Sequence, residues 1–222
     1  VLEITAARAA FEAEYGAAID RTTDAYYCTS ATGVEIPAER FLAACRYHGL
    51  AFTVVTPPSE LVDPNRVSVC VRADEAVYDL PRLRAVVTER LQRAEVACRL
   101  RTMVNGTHID ALGRKHLTFE DPAGPGEEAF DYVVNATYGG RNALAHWLGM
   151  PLEPLRFDLF EMLSVRLPVP RASITVLDGP FTTLVGTGPG NRFLLAHIHA
   201  SMAASVIPDD GLPPVWPAAS SN

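Results

Sequence analysis

Four cysteines and six histidines, with scattered carboxylates and arginines, are the groups of this chain that could do chemistry. Cys28, Cys45, Cys70 and Cys98 fall in separate segments, with no CxxC motif. That pattern suggests neither a zinc site nor a dithiol redox pair, and buried, reduced thiols are expected. His197 and His199 stand two residues apart, which in a strand puts both on one face, where they could chelate a metal. No third ligand stands near them in sequence, so no metal is assigned and the pair is expected to line a sheet. Asp178 and Glu161 could move protons. Asp178-Gly179 is first of all a hairpin signal, however, and Glu161 sits in a strand-like run, so both read as structural. Arg166, Arg171 and Arg192 are candidate carboxylate anchors, because a guanidinium fork matches the two oxygens of a carboxylate. The alternative for each is a solvated surface arginine.

The stretch "FDYVVNATYGGRNALAHWLG" at 130–149 raises a different chemistry. An apolar run passes through small residues into two glycines, and a helical pattern begins at once. Small residues from Ala136 to Gly139 would let backbone approach a dinucleotide closely. Tyr138 interrupts that series and would stack beside such a ligand or plug its pocket. The alternative is an ordinary strand-to-helix turn. The dense glycine run "GTGPG" at 186–190 is followed by the strand-like "RFLLAHI", so it fails the context of a phosphate loop and reads as a hairpin turn.

The elements that must position these residues follow from periodicity. Helices are predicted over 6–19, from Pro37 through about Tyr47 with closure at Gly49, and over 78–95, where Asp79 is an N-cap and Pro81 sits in the first turn. Strands are predicted at 25–31, 50–56 and 66–73, the last with Val67, Val69 and Val71 on one face. Three short runs at 96–104, 106–113 and 115–121 suggest a meander. A strand at 130–137 and a helix at about 141–148 come next, and beyond 151 alternating apolar runs with turn signals imply an antiparallel sheet. The expected class is mixed α/β with a partly parallel sheet.

The 222 residues are 48% hydrophobic, with a net charge of −7 and a pI near 5.4. Such a chain can bury a core, and it lacks the basic footprint that nucleic acid or an anionic membrane would need. No run approaches the ~20 apolar residues of a membrane span, and the N-terminus has no signal-peptide pattern. A cytoplasmic protein with no nucleic-acid or membrane partner is expected. The absence of an initiating Met and the polar, proline-rich 208–222, read as a flexible tail, suggest cut or frayed ends.

The order "EAVYDLPRLRAVVTERL", "VACRLRTMVNGTHID", "FDYVVNATYGGRNAL", "SITVLDGPFTTLVG" and "FLLAHIHAS" resembles the interior of FAD-dependent oxidoreductases of the D-amino-acid-oxidase and glycine-oxidase-like superfamily. The resemblance covers about 20–205. It implies FAD as cofactor, with Val104 at the adenine edge and Ala136, Thr137, Tyr138 and Gly139 beside the dinucleotide. For Val104 the alternative is a core valine in a strand. The resemblance also implies hydride transfer from an amine, amino acid or related CH–NH or CH–OH donor to the flavin, without an obligatory protein base.

In this family a GxGxxG segment precedes this region and a C-terminal segment follows it. Neither is present here, so the chain reads as a middle part whose partners are a small-molecule substrate and the remaining parts of a parent protein. The implied division is a partial FAD-binding domain at 66–150, a substrate domain at 1–65 and 151–207, and the tail at 208–222. Both domains are then discontinuous, which requires pairing between the N- and C-terminal thirds. The competing readings are a non-catalytic α/β remnant or binding module and, more weakly, an NAD-linked dehydrogenase.

Overall fold

The computed structural model describes residues 2–177, 182–187 and 190–216. The expected hairpin at Asp178-Gly179 and the Gly188-Pro189 part of the glycine run lie outside them. In chain order the elements begin with helix α1 (Leu2–Tyr15), strands β1 (Ile19–Asp20) and β2 (Asp24–Ser30), α2 (Ala38–Tyr47), β3 (Phe52–Val55), β4 (Val67–Ala73), β5 (Val77–Tyr78) and α3 (Leu80–Arg93). Then come β6 (Met103–Ile109), β7 (Lys115–Asp121), β8 (Gly124–Phe130), α4 (Arg141–Trp147), β9 (Phe157–Phe160), β10 (Leu163–Arg166), β11 (Ala172–Leu177), β12 (Thr182–Gly186), β13 (Arg192–His197) and β14 (Met202–Val206). The class is mixed α/β, with several sheets. Among the described residues no helix is long and apolar enough to cross a membrane.

The chain forms two compact units. The first comprises residues 1–96 and 160–202. Its seven-stranded sheet runs β10-β13-β12-β11-β2-β4-β3. The β11–β2 pair is parallel, joining the C-terminal third to the N-terminal third, and the other neighbours are antiparallel. Residues directly opposite across strands share a face, so pairing alone assembles the row Leu195, Leu184, Ile174, Tyr26. Ile174 and Leu184 join Cys28, Cys70 and the fully buried Phe193 in the core. In β4 Val69 and Val71 share the expected face, but a register shift at the Thr29/Ser30 pairing sets Val67 opposite Ser30, on the face of the buried Cys70, where it packs on the core. β4 lies between β2 and β3, and both sheet faces there are covered. α3 starts as its sequence dictates, with the Asp79 carboxylate accepting from the backbone N–H of Arg82 at 3.1 Å and Pro81 in the first turn.

This unit takes in 66–96, which the sequence division grouped with 97–150. Strand pairing explains the difference, since β4 is fixed by β2 and β3 and the short β5 pairs with β1.

The second unit comprises 97–159 and 203–222. It contains the meander β6-β7-β8, helix α4 and most of the β9–β14 pair. The expected meander shifts by one strand: 96–102 is irregular, the two later runs become β6 and β7, and the third strand is "GPGEEAF". Its glycines read as turn signals in sequence, yet in space they make room. A Cβ on Gly126 would lie 2.6 Å from the Phe119 ring, and one on Gly106 would lie 2.6 Å from the Thr118 hydroxyl. The other departure is at 130–137, where the strand pattern of "YVVNAT" produces no strand. Tyr132 and Val134 are 90% and 89% exposed. An apolar extended segment needs a neighbouring strand to bond its backbone, and this one has none among the described residues.

Of the stretch read as a tail, residues 208–216 lie within the described residues. Gly211, at φ +69°, packs against Leu152, and its carbonyl accepts from the Asn142 side chain at 2.7 Å. Residues 217–222 lie outside the described residues.

Candidate functional site

The second unit holds an apolar cleft of about 460 Å³. Met103 and Val104 of β6 line one part, with Leu117 of β7 beside them. Val133, Val134, Asn135 and Thr137 of the unpaired segment, together with α4, complete it. The turn into α4 is set by Asn135, whose side-chain oxygen accepts from the Thr137 backbone N–H at 3.2 Å and from its hydroxyl at 2.7 Å. The Asn135 amide donates onward to the Arg141 carbonyl at 3.1 Å. Local side-chain bonding of this kind replaces a strand ladder with a turn. α4 is then fastened from behind. Buried Asn142 donates to the Glu153 and Gly211 carbonyls at 2.8 and 2.7 Å, and Arg141 pairs with Glu153.

Two of the five residues assigned to the cofactor from sequence, Val104 and Thr137, line this cleft. Ala136, Tyr138 and Gly139 do not. Tyr138 takes a left-handed φ of 53° in a tight turn and is 96% exposed, and a Cβ on Gly139 would meet open space. The sequence reading missed Asn135, Leu144 and Trp147. An asparagine two residues before a threonine, ahead of a helix, is the signal that could have revealed the first. The others read as ordinary helix-face residues.

The residues present suit the flat, apolar end of a dinucleotide. β6 is an edge strand of the meander, so one side of its backbone offers unpaired N–H and C=O groups, and Met103, Val104 and Trp147 supply apolar surface. No glycine-rich phosphate loop ahead of a helix is present among the described residues.

A second cavity of about 550 Å³ lies within the first unit, lined by α1, α2 and the sheet. On its wall the Tyr27 hydroxyl donates to Glu75 at 2.5 Å. Burial, then this bond, pushes the phenol well above its ordinary range, so it stays protonated.

Arg171 is engaged by Asp20 at 2.7 Å, and Gly186 leaves room for its stem, since a Cβ there would lie 3.2 Å from the Arg171 Cγ. Arg171 therefore anchors structure. Arg166 and Arg192 are exposed, face each other across β10 and β13, and have no ion-pair partner among the described residues. The His197 Nδ1 accepts from the N–H groups of His199 and Ala200 at 3.3 and 3.2 Å, so this histidine closes a turn. Glu161 is exposed, and its N–H donates to the Ser201 carbonyl. Cys28 and Cys70, distant in sequence, are direct cross-strand partners. Their mutual hydrogen bond, then burial, pushes the Cys28 thiol up.

No protein-family model and no curated protein sequence matches the chain. Solved structures do. A glycine oxidase from Geobacillus kaustophilus superimposes with a TM-score of 0.64 at 16% identity, over 92% of this chain and 53% of that one. An L-proline dehydrogenase from P. horikoshii gives 0.58 at 14% identity, over 89% and 53%. The chain thus spans about half the length of these neighbours, and what it shares with them is a fold.

Proposed function

We propose that this chain supplies part of an FAD-dependent oxidoreductase that removes hydride from an amine, an amino acid or a related CH–NH or CH–OH donor. The observation that carries this reading is the fold likeness, over about nine-tenths of the chain, to two enzymes named for oxidising amino acids. The sequence resemblance to the glycine-oxidase-like superfamily agrees with it.

In this reading the second unit holds the adenosine end of FAD, with Val104 on the free edge of β6 and Thr137 at the turn. The large sheet of the first unit serves the substrate, and Arg166 and Arg192, which have no ion-pair partner among the described residues, are the candidates to meet a carboxylate. When bound, the flavin would accept the hydride. The protein's share is then to orient the donor and exclude water. FAD's phosphates would need donors beyond those that the described residues offer in this cleft.

The test is to purify the product of the full reading frame containing this chain and record its visible spectrum with and without a panel of amines and amino acids under anaerobic conditions. Flavin bands bleached by one of the donors are expected. A colourless protein that takes up no added FAD would leave the non-catalytic binding module as the better reading.

A further inference from the structure

Outside the cleft, the meander gathers a second group of chemically able side chains. His108 of β6 and His116 of β7 are direct cross-strand partners. Glu127 of β8 pairs with Thr118, two residues along from His116, so all three side chains rise from one face. Their ligand atoms lie within 4.8 Å of one another. The two imidazole rings stack at 4.6 Å, and one His116 nitrogen, Nδ1, lies 3.0 Å from the Glu127 carboxylate. We propose that this face of the meander is a binding site for a divalent first-row transition ion such as zinc, held by His108, His116 and Glu127.

The surroundings of His116 set this cluster apart from a chance grouping. Its Nε2 lies 3.0 Å from Asp110, and the other oxygen of Asp110 accepts from the backbone N–H groups of Leu112 and Arg114 at 2.8 and 2.9 Å. A carboxylate fixed by its own loop is therefore placed to accept the Nε2–H of His116, and in the neutral ring the Nδ1 lone pair then faces Glu127, where an ion would take the place of a proton. That is the arrangement by which proteins orient a metal-binding imidazole. Two ligands at ~2.0–2.1 Å on a tetrahedral ion stand about 3.3 Å apart, close to the Nδ1–Glu127 separation. His108 is exposed on an edge strand, so its side chain can turn in to complete the set.

Two imidazoles and a carboxylate suit zinc and its neighbours better than calcium or magnesium, which prefer all-oxygen sites. A protonated His116 between Asp110 and Glu127 would account for two contacts but would leave the stacked His108 without a role. Because each strand gives one ligand, the ion would also staple the meander. This inference does not rest on the flavin reading.

The test is titration of the purified chain with zinc chloride in competition with a chromogenic chelator, with melting followed in parallel. One equivalent bound at micromolar or tighter affinity is expected, with a melting temperature that rises with zinc concentration. His108→Asn and Glu127→Gln should each weaken binding at least ~10-fold, and Asp110→Asn, which touches no ligand atom, by ~10–100-fold. Cys98→Ser should leave binding unchanged. As a reading independent of substitution, ring-nitrogen NMR of the unaltered chain should show His108 and His116 shifting together on zinc addition. Absence of a stoichiometric site, binding that survives the His108 and Glu127 changes, or binding lost with Cys98→Ser would overturn the proposal.

Discussion

Among single residues, Asp20 shows how a polar group is committed to structure. Its carboxylate accepts from the hydroxyl and backbone N–H of Thr22, from the Thr23 hydroxyl and from Arg171. The Thr22 hydroxyl foremost, with the Thr22 N–H and Arg171 assisting, holds its pKa below the ordinary value. A lowered carboxylate pKa stabilises the fold above the unfolded value of about 3.9, and that contribution is lost as pH falls through the folded value. Asp20→Asn is expected to cost about 1–3 kcal/mol near neutrality, and the gap from the unaltered protein should narrow below about pH 4. Urea midpoints at pH 7 and pH 3 would check both parts. Sequence alone made Arg171 a candidate substrate anchor because Asp20 lies 151 positions away and nothing between them marks it as the partner; β2 and β11 pair side by side with Ala172 opposite Asp24, and that register brings Arg171 to Asp20.

For whole elements, local pattern and tertiary demand part company in the second unit. "GPGEEAF" becomes a strand because Gly126 yields its side-chain volume to Phe119. Gly126→Ala is expected to destabilise by about 1–3 kcal/mol. In a Phe119→Ala background the same change should cost less, and a double-mutant cycle by chemical denaturation measures the difference. "YVVNAT" shows the converse: β-forming residues make no strand without a neighbour. Because Val134 is exposed, Val134→Lys should change stability by less than about 0.5 kcal/mol while lowering aggregation. Light scattering on heating, set beside the melting curve, separates the two effects. Helix starts were legible because capping is local, as with Asp79 and Pro81. The cleft was legible only at Val104 and Thr137, since its other walls come from residues whose types say "helix face" or "core".

Over the whole molecule, connectivity makes each unit discontinuous, and the C-terminal residues matter to the second. Gly211 receives a hydrogen bond from buried Asn142, which also holds Glu153 behind α4. Truncation after Ile207 should therefore cost about 1–3 kcal/mol, seen as a lower urea midpoint, whereas truncation after Trp216 spares this bond and should cost little from its loss. The sequence by itself determined the mixed α/β class, the helix caps, the alternating strands and the acidic, non-basic surface, because propensity, periodicity and charge are local or additive properties. Tertiary structure alone decided that β4 joins the large sheet, that Cys28 meets Cys70, that Arg171 is bound by Asp20, and that His108, His116 and Glu127 share one face. Those outcomes depend on strand register and on which strands become neighbours, and neither is written in the spacing of residues along a single segment.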